Sequence, residues 1–254
     1  MTRCQKSKVI PNSFCLRASN WIQCLGNMIQ FKDVTKVYPG SASSLSDITL
    51  TISSGEFVSI VGPSGSGKTT LIKLLLAEEA PTKGTVHFDS VDINRLRRYQ
   101  IPKHRRRIGV VFQDFRLLSD KTAYENIAFA MEAAGYDDKE IAADVPYVLD
   151  LVDLSELKFR FPKELSGGEL QRLAIARAII TQPEVIVADE PTGNLDPIAT
   201  HEVIQILKKV NDLGTTVVLA THDKQVVDSL KKRVVTLEKG RIVRDEEKGK
   251  YIIE

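Results

Sequence analysis

The nine residues from Gly62 to Thr70, GPSGSGKTT, constrain the fold of this chain more than any other stretch. They follow the apolar run FVSIV at 57–61 and lead into LIKLLL at 71–76, so the pattern G-x-x-x-x-G-K-[ST] joins a strand to a helix. Its glycines let successive backbone N–H groups point at an anion, and the helix adds the positive end of its dipole. The pattern predicts an α/β fold whose loop binds the phosphates of a nucleoside triphosphate.

Two residues of this loop carry reactive groups. Lys68 can reach the outer phosphates, and the hydroxyl of Thr69 can ligate Mg²⁺. A turn whose glycines served only close packing would not need a lysine and a hydroxyl at the start of the helix. The predicted nucleotide-binding residues of the loop are Gly62, Pro63, Ser64, Gly65, Ser66, Gly67, Lys68, Thr69 and Thr70.

From Met28 onward, strand patterns alternate with helical patterns, which favours a mostly parallel sheet covered by helices. The predicted strands lie at 29–34, 48–52, 57–61, 85–88, 107–112, 185–188, 216–220 and 233–237. We interpret residues 28–245 as one nucleotide-binding domain with a helical insertion at about 114–180, followed by a C-terminal tail at 246–254.

A helical region is predicted at about 122–153. Thr122 and Glu125 have the spacing of a capping box at its start, and Gly135 is a plausible stop for its first helix. Pro146 predicts a kink or a break in the second helix, because proline removes a backbone hydrogen bond there.

The first 27 residues differ in composition from the rest. They hold all three cysteines and four of the 35 basic residues but none of the 33 acidic ones, so the body of the chain is slightly acidic. We expect 1–27 to be either a disordered leader, such as an organelle transit peptide, or the product of a misassigned start. The strand pattern that begins at Met28 favours the misassigned start. The charge gives no indication of a nucleic-acid partner. No run approaches the roughly 18 apolar residues that span a bilayer, so a membrane role has to come through a partner.

A second apolar run, VIVA at 185–188, ends in Asp189 and Glu190. In a phosphate-loop ATPase, one carboxylate at a strand end holds the Mg²⁺ shell and an adjacent one can polarise the attacking water. Asp189 fits the first role and Glu190 the second. An isolated acidic pair is commonly a solvated strand end, but the upstream phosphate loop favours the catalytic interpretation.

The sequence LSGGE at 165–169 precedes a helical pattern and contains a second candidate anion site. Ser166 and Glu169 have the spacing of a capping box, which is the structural alternative. Capping does not require Gly167 and Gly168, which lower helix propensity, whereas a phosphate that approaches the backbone closely does. One domain cannot easily bring two such sites to one triphosphate, so the pattern predicts a dimer.

Together these segments resemble the ATPase subunit of ABC transporters over about residues 28–245. GPSGSGKT resembles the Walker A loop, LSGGE the signature motif and VIVADE the Walker B strand. The resemblance implies a phosphate-loop NTPase fold with a mostly parallel core sheet, an N-terminal antiparallel β subdomain and an α-helical subdomain that carries the signature. It adds four residues: Tyr38, which would stack on adenine, Gln113 of the Q-loop, Asp196 of the D-loop and His222 of the switch.

The resemblance also implies a mechanism that uses ATP and Mg²⁺. Two chains would pack head to tail, and each ATP would touch the loop of one chain and the signature of the other. The signature residues that act on the partner's ATP would be Ser166, Gly167, Gly168 and Glu169. The Mg²⁺ ligands would be Thr69, Gln113 and Asp189, partly through water, and the catalytic pair would be Glu190 and His222. Taken alone, Tyr38 is as typical of a half-buried aromatic, Gln113 of a surface amide and His222 of a strand end.

Less general segments resemble the FtsE family of cell-division ABC ATPases: IGVVFQDFRLL at 108–118, AYENIAFAM at 123–131 and KKRVVTLE at 231–238. This resemblance implies an FtsX-like integral membrane partner, contacts with division-ring proteins, control of cell-wall hydrolases, and a place at the cytoplasmic face of the plasma membrane. A lipoprotein-releasing or macrolide-type exporter ATPase is the alternative. A soluble ABC protein of DNA repair or translation would show duplicated cassettes, coiled coils or zinc motifs, and the sequence shows none.

A basic run at 95–107 precedes the strand at 107–112. We interpret it as a solvated charged face. A contact with anionic lipid or a partner is the second hypothesis.

Overall fold

The computed structural model describes residues 26–39, 43–249 and 251 of the chain. The predicted leader at 1–27 therefore lies outside the described residues except for its last two. Residues 250 and 252–254 of the predicted tail also lie outside them.

The first sheet is antiparallel and has the strand order β2-β1-β4-β5. Its strands are β1 Asn27–Val37, β2 Ser43–Ser53, β4 Lys83–Phe88 and β5 Val91–Asp92. Strands β1 and β2 are each 11 residues long, well beyond the predicted limits. The prediction followed the apolar stretches alone, whereas the ladder between the two strands extends over polar residues as well.

The second sheet forms the core and has the order β10-β9-β3-β8-β7-β6. Its strands are β3 Phe57–Val61, β6 Ile108–Phe112, β7 Val185–Asp189, β8 Thr216–Thr221, β9 Arg233–Glu238 and β10 Arg241–Glu246. All pairs are parallel except β9 with β10. Every residue of β3 and β8 is buried, as expected for strands covered on both faces. The carboxyl ends of β3, β6, β7 and β8 therefore share one edge of the sheet.

The described part of the chain has seven α-helices. They are α1 Lys68–Leu75, α2 Ile101–Arg105, α3 Ala123–Ala134, α4 Asp138–Leu151, α5 Gly167–Ile179, α6 Pro197–Asp212 and α7 Lys224–Leu230. Helices α3 to α6 pack with one face of the core sheet in one hydrophobic cluster. Helix α1 and the antiparallel sheet pack with the other face. The described residues include no helix that is long and apolar enough to span a bilayer.

The local signals at helix ends largely agree with the structure. Thr122 and Glu125 form the predicted capping box at the start of α3, and Gly135 ends that helix with a φ of 90°. For Pro146 we predicted a kink or a break. The break is wrong, because α4 runs from Asp138 to Leu151 without interruption. Its apolar side, which includes the fully buried Val145 and Val148, packs into the core, and this packing compensates for the missing hydrogen bond.

The basic run is only partly a solvated face. His104 is buried, its Nε2 lies 2.7 Å from the carbonyl oxygen of Leu75, and burial lowers its pKa. Arg105 donates from Nε to the carbonyl of Leu76 at 2.9 Å. These two side chains bind the carbonyl groups that the end of α1 leaves unpaired. The solvated-face interpretation is therefore wrong for His104, whereas Arg105 is exposed but also binds the end of α1.

Candidate active site

A cleft of about 460 Å³ opens at the carboxyl edge of the core sheet. The loop after β3, the start of α1 and the residues that follow β6, β7 and β8 form most of its wall. Its lining residues are Ser44, Pro63, Ser64, Gly65, Ser66, Gly67, Lys68, Thr69, Thr70, Gln113, Asp189, Glu190, His222 and Tyr251. The structure thus brings together most of the predicted loop, Gln113, the acidic pair and the histidine.

The backbone of the loop leaves the start of α1 open. Gly67 is the N-cap of α1 with a φ of 111°, and a Cβ atom there would lie 2.8 Å from the carbonyl oxygen of Ser44. Only glycine adopts this φ without strain and lacks the Cβ atom that would clash with the Ser44 carbonyl. Among the described residues no side chain caps α1, whereas the longer helices α3 to α6 each have a side-chain cap. The first N–H groups of α1 are therefore available to an anion.

Lys68 lies along the inside of this loop. Its Nζ donates to the carbonyl of Gly62 at 2.8 Å and to that of Pro63 at 3.3 Å. The same nitrogen lies 3.6 Å from Glu190 Oε1, and only 8% of the lysine side chain is exposed. The ammonium group is thus held at the floor of the cleft by neighbouring oxygen atoms.

Two oxygen atoms converge between α1 and β7. The hydroxyl of Thr69 donates to Asp189 Oδ2 at 3.2 Å. Burial raises the pKa of Asp189, the negative charge of Glu190 adds to that shift, and the bond from Thr69 opposes it. A hydroxyl and a carboxylate at this separation are the hard oxygen ligands that Mg²⁺ prefers when substrate phosphates supply the others. The donor set therefore fits a magnesium ion.

Glu190 and His222 form a contact at the mouth of the cleft. The Nδ1 atom of His222 lies 2.9 Å from Glu190 Oε1, and its backbone N–H donates to Oε2 at 3.3 Å. The Glu190 backbone has a φ of 50°, an uncommon conformation for a residue with a side chain. The carboxylate is mostly buried, whereas 65% of the imidazole side chain is exposed. This arrangement fixes a carboxylate in the wall of the cleft, next to the Lys68 ammonium of the phosphate loop.

Gln113 follows β6 and lines the cleft. Its amide packs against Gly193, where a Cβ atom would lie 2.9 Å from Nε2. This contact joins the predicted Q-loop to the segment that leads to Asp196.

The predicted signature residues lie elsewhere. Ser166, Gly167, Gly168 and Glu169 line a separate hollow together with Asp196. Ser166 Oγ donates to Glu169 Oε2 at 2.8 Å, and bonds from the backbone and the hydroxyl of Ser166 hold the pKa of Glu169 low. Asp196 caps α6 through bonds from two backbone N–H groups, at 2.8 and 3.0 Å. Within one chain, the described residues of the signature do not reach the cleft.

The two signature glycines have different surroundings. A Cβ atom on Gly168 would lie 2.8 Å from the Cβ of Ala199, so close packing between α5 and α6 requires this glycine. A Cβ atom on Gly167 would meet nothing nearer than 3.6 Å. Packing therefore accounts for Gly168, whereas a Cβ atom on Gly167 would make only ordinary van der Waals contact, so packing does not require that glycine.

Two predicted nucleotide-binding residues, Gly62 and Tyr38, are not among the described lining residues of the cleft. Gly62 contacts the cleft only indirectly, through the bond that its carbonyl accepts from Lys68. The Nζ atom of Lys36 lies 4.9 Å from the centre of the Tyr38 ring. Residues 40–42, which follow soon after Tyr38, lie outside the described part of the chain.

Three residues of this region carried no sequence signal. Ser44 comes from the antiparallel sheet, and its hydroxyl lies 2.9 Å from that of Thr70. Tyr251 reaches the cleft from the predicted tail. Arg177 of α5 donates to the carbonyls of Phe115 and Arg116 at 3.0 and 2.6 Å. It thereby holds the segment after Gln113, where both residues have positive φ values of 56° and 50°.

A protein-family model described as ABC transporter matches residues 45–193, which is more than half of the chain. The chain belongs to the ABC transporter family. The resemblance inferred from the phosphate loop, the signature and the Walker B strand is therefore confirmed. This ABC protein binds ATP and is an ATPase.

The FtsE resemblance is also confirmed. This ABC ATPase is 51% identical over 224 residues to the cell division ATP-binding protein FtsE of Bacillus subtilis, covering 88% of the chain and 98% of that relative. It is 52% identical over 225 residues to FtsE of Mycobacterium tuberculosis, with the same two coverages. It also superposes with a TM-score of 0.79 on the ATP-binding cassette MJ0796, in a dimeric post-hydrolysis structure with ADP and Pi. That cassette is 36% identical, and the match covers 88% of this chain and 100% of the cassette.

Proposed function

We propose that the chain is the ATP-hydrolysing subunit of an FtsE/FtsX-type complex, in which ATP-driven pairing of two copies acts on an FtsX-like integral membrane protein. The cell-division relatives at about half identity support this proposal. The chain would then work at the cytoplasmic face of the plasma membrane, held there by its partner. It would regulate cell-wall hydrolysis during division, with contacts to division-ring proteins.

The proposed pairing of two chains rests on one observation. The nucleotide cleft and the signature hollow are separate within a single chain. The cleft has a lysine, open N–H groups and an acidic pair, whereas the hollow at Ser166, Gly167 and Asp196 has the other predicted contacts. One chain does not bring the two together within its described residues. A second copy arranged head to tail would place its hollow over the cleft of the first. The dimeric ABC cassette with ADP and Pi supports this arrangement.

Within the pair, each group of the cleft has a proposed task. Lys68 and the N–H groups of the loop bind the phosphates of ATP. Thr69, Gln113 and Asp189 would hold Mg²⁺, which would supply positive charge to neutralise the phosphates. Glu190 orients and polarises the attacking water, and His222 contacts the γ-phosphate.

The test of the catalytic assignment is Glu190→Gln. Glutamine keeps one acceptor oxygen, which can still accept from the backbone N–H of His222, but it cannot accept the proton of water, so kcat is expected to fall about 10²- to 10⁴-fold. Binding of ATP is retained, and the ATP-bound dimer accumulates in sedimentation experiments. Glu132→Gln, on the exposed side of α3, is the matched control and keeps wild-type turnover. Turnover of Glu190→Gln within tenfold of wild type contradicts the assignment.

The test of the partner is recovery from membranes. The tagged chain, cross-linked in cells of its own source and purified in detergent, is expected to retain an integral membrane protein of the FtsX type. Recovery of an exporter permease instead supports the lipoprotein or macrolide alternative and contradicts the proposed partner.

A further inference from the structure

The predicted C-terminal tail takes part in the nucleotide cleft. Tyr251 is only 2% exposed although it lies five residues beyond the end of β10. It lines the same cleft as Lys68, Glu190 and His222. None of the tasks proposed above uses this aromatic side chain.

Several contacts hold Tyr251 in this position. Its backbone N–H donates to Asp228 Oδ1 at 3.0 Å. Its side chain belongs to a small buried cluster with Val61, Val227 and Val234. The chain just before it is also closely packed, because a Cβ atom on Gly249 would lie 2.9 Å from the Cβ of Val234. A backbone anchor, an apolar cluster and a glycine at a close approach indicate a specific fit.

The neighbours of Tyr251 connect it to both sides of the cleft. Val61 immediately precedes the phosphate loop, while Val227 and Asp228 lie in α7. Helix α7 begins two residues after His222, whose side chain is largely exposed. The exposed imidazole has little packing of its own, so its placement depends on how α7 is held against the loop. The buried tyrosine lies at that junction.

Electrostatics agree with this location. Burial raises the pKa of Tyr251, and the nearby negative charge of Glu190 adds to the shift. A phenol is neutral at physiological pH even without this shift, so the ring does not place a second anion beside the Glu190 carboxylate.

We propose that Tyr251 is a positioning residue for ATP hydrolysis, which fixes the segment carrying His222, and with it the Glu190–His222 contact, against the phosphate loop. This inference rests on the proposed roles of Glu190 and His222. The aromatic ring and the backbone anchor carry out the task, and the hydroxyl is not required for it.

The experiment compares Tyr251→Ala with Tyr251→Phe in the full-length chain. Loss of the ring is expected to lower kcat about 10- to 100-fold, because small misplacements of catalytic groups have effects of that size. The dissociation constant for ATP changes less than about threefold, since the loop and Lys68 remain. Tyr251→Phe keeps the ring and restores kcat to within about threefold of wild type. Tyr99→Ala, at an aromatic side chain that is 72% exposed, is the control and has wild-type kcat.

A second variant covers the case in which Tyr251→Ala does not fold. Asp228→Ala removes the acceptor of the backbone anchor but leaves the ring in the chain, and is expected to lower kcat with ATP affinity preserved. The inference is overturned if a folded Tyr251→Ala has wild-type kcat, if ATP affinity falls in parallel with kcat, or if Tyr251→Phe is as inactive as Tyr251→Ala. Wild-type kcat in Asp228→Ala overturns it as well.

The proposed catalytic role is tested separately by Glu190→Gln. Full turnover in that variant refutes the role of Glu190 itself. Low turnover in Glu190→Gln together with full turnover in Tyr251→Ala refutes only the positioning role of the tail.

Discussion

Lys68→Met tests how the phosphate loop is held before ATP arrives, because it removes the ammonium group and keeps most of the apolar stem. In the structure this group donates to the carbonyls of Gly62 and Pro63 and lies 3.6 Å from Glu190 Oε1. The side chain of Lys68 is 8% exposed and that of Glu190 is 16% exposed. The ammonium therefore stabilises the loop itself, in addition to its proposed task of binding the phosphates.

The expected loss of unfolding free energy in Lys68→Met follows from the carbonyl groups that lose their hydrogen-bond donor. A buried acceptor without its donor costs about 1–3 kcal/mol, and the carbonyl of Gly62 is such an acceptor. The carbonyl of Pro63 is only partly buried, so water can replace its donor. Because methionine also removes the desolvation penalty of the lysine charge, we expect a loss of about 1–2 kcal/mol in the free energy of unfolding without ATP.

Bound ATP increases the difference in unfolding free energy between wild type and Lys68→Met. At 100 times its dissociation constant, a ligand stabilises the native state by about 2.7 kcal/mol. Wild type gains this amount, whereas the variant gains little because its contact with the outer phosphates is lost. At that ATP concentration the two proteins should therefore differ by about 4 kcal/mol.

The assay is urea unfolding followed by circular dichroism, with and without ATP. Lys73→Met is the matched control, because Lys73 lies on the exposed side of the same helix and should shift the unfolding free energy by less than about 0.5 kcal/mol. The reasoning is refuted if Lys68→Met is stabilised by ATP as strongly as wild type. It is also refuted if the variant is as stable as the control without ATP.

Two further predictions concern α5. Gly168→Ala should lower the free energy of unfolding by about 1–3 kcal/mol, because its new methyl group meets Ala199, whereas Gly167→Ala should change it by less than about 0.5 kcal/mol. Urea unfolding compares the two variants, and equal stabilities would contradict the packing argument. Arg177→Lys should destabilise the chain by about 1–3 kcal/mol, because one ammonium cannot reproduce the two bonds of the guanidinium fork. Hydrogen exchange should then quicken at residues 113–116, and unchanged exchange there would argue against that role.

The sequence allowed prediction where the determining interactions are local or follow from topology. The capping box at Ser166 and Glu169 needs only four consecutive residues, and the structure forms it. The loop at Gly62 and the pair at Asp189 and Glu190 each follow an apolar strand. Because parallel strands place their carboxyl ends at one edge, two segments more than 100 residues apart could be assigned to one cleft from their patterns.

Prediction failed where distant packing decides the outcome. Tyr251 looked like part of a tail, and its burial depends on Val61 and Val234 rather than on any local pattern. The basic run looked solvated, but the acceptors of His104 and Arg105 are the carbonyls at the end of α1, about 30 residues earlier. Sequence spacing carries no information about such contacts.

The contacts of the ligand-free chain suggest how hydrolysis could be restricted to the ATP-bound pair under the proposed function. Lys68 is bound to loop carbonyls, Ser166 to Glu169, and Glu190 to His222. ATP exchanges bonds at these three places. At Lys68 the exchange is favourable, because charged phosphate oxygens bind an ammonium group more strongly than neutral carbonyl oxygens do. The N–H groups at the start of α1 have no side-chain cap among the described residues, so the phosphates also gain there. Initial affinity then comes from the loop, whereas Ser166 changes partners only when a second copy supplies it to a bound γ-phosphate. Each half-site is thereby stable in a single chain, and hydrolysis requires both half-sites to meet at one ATP.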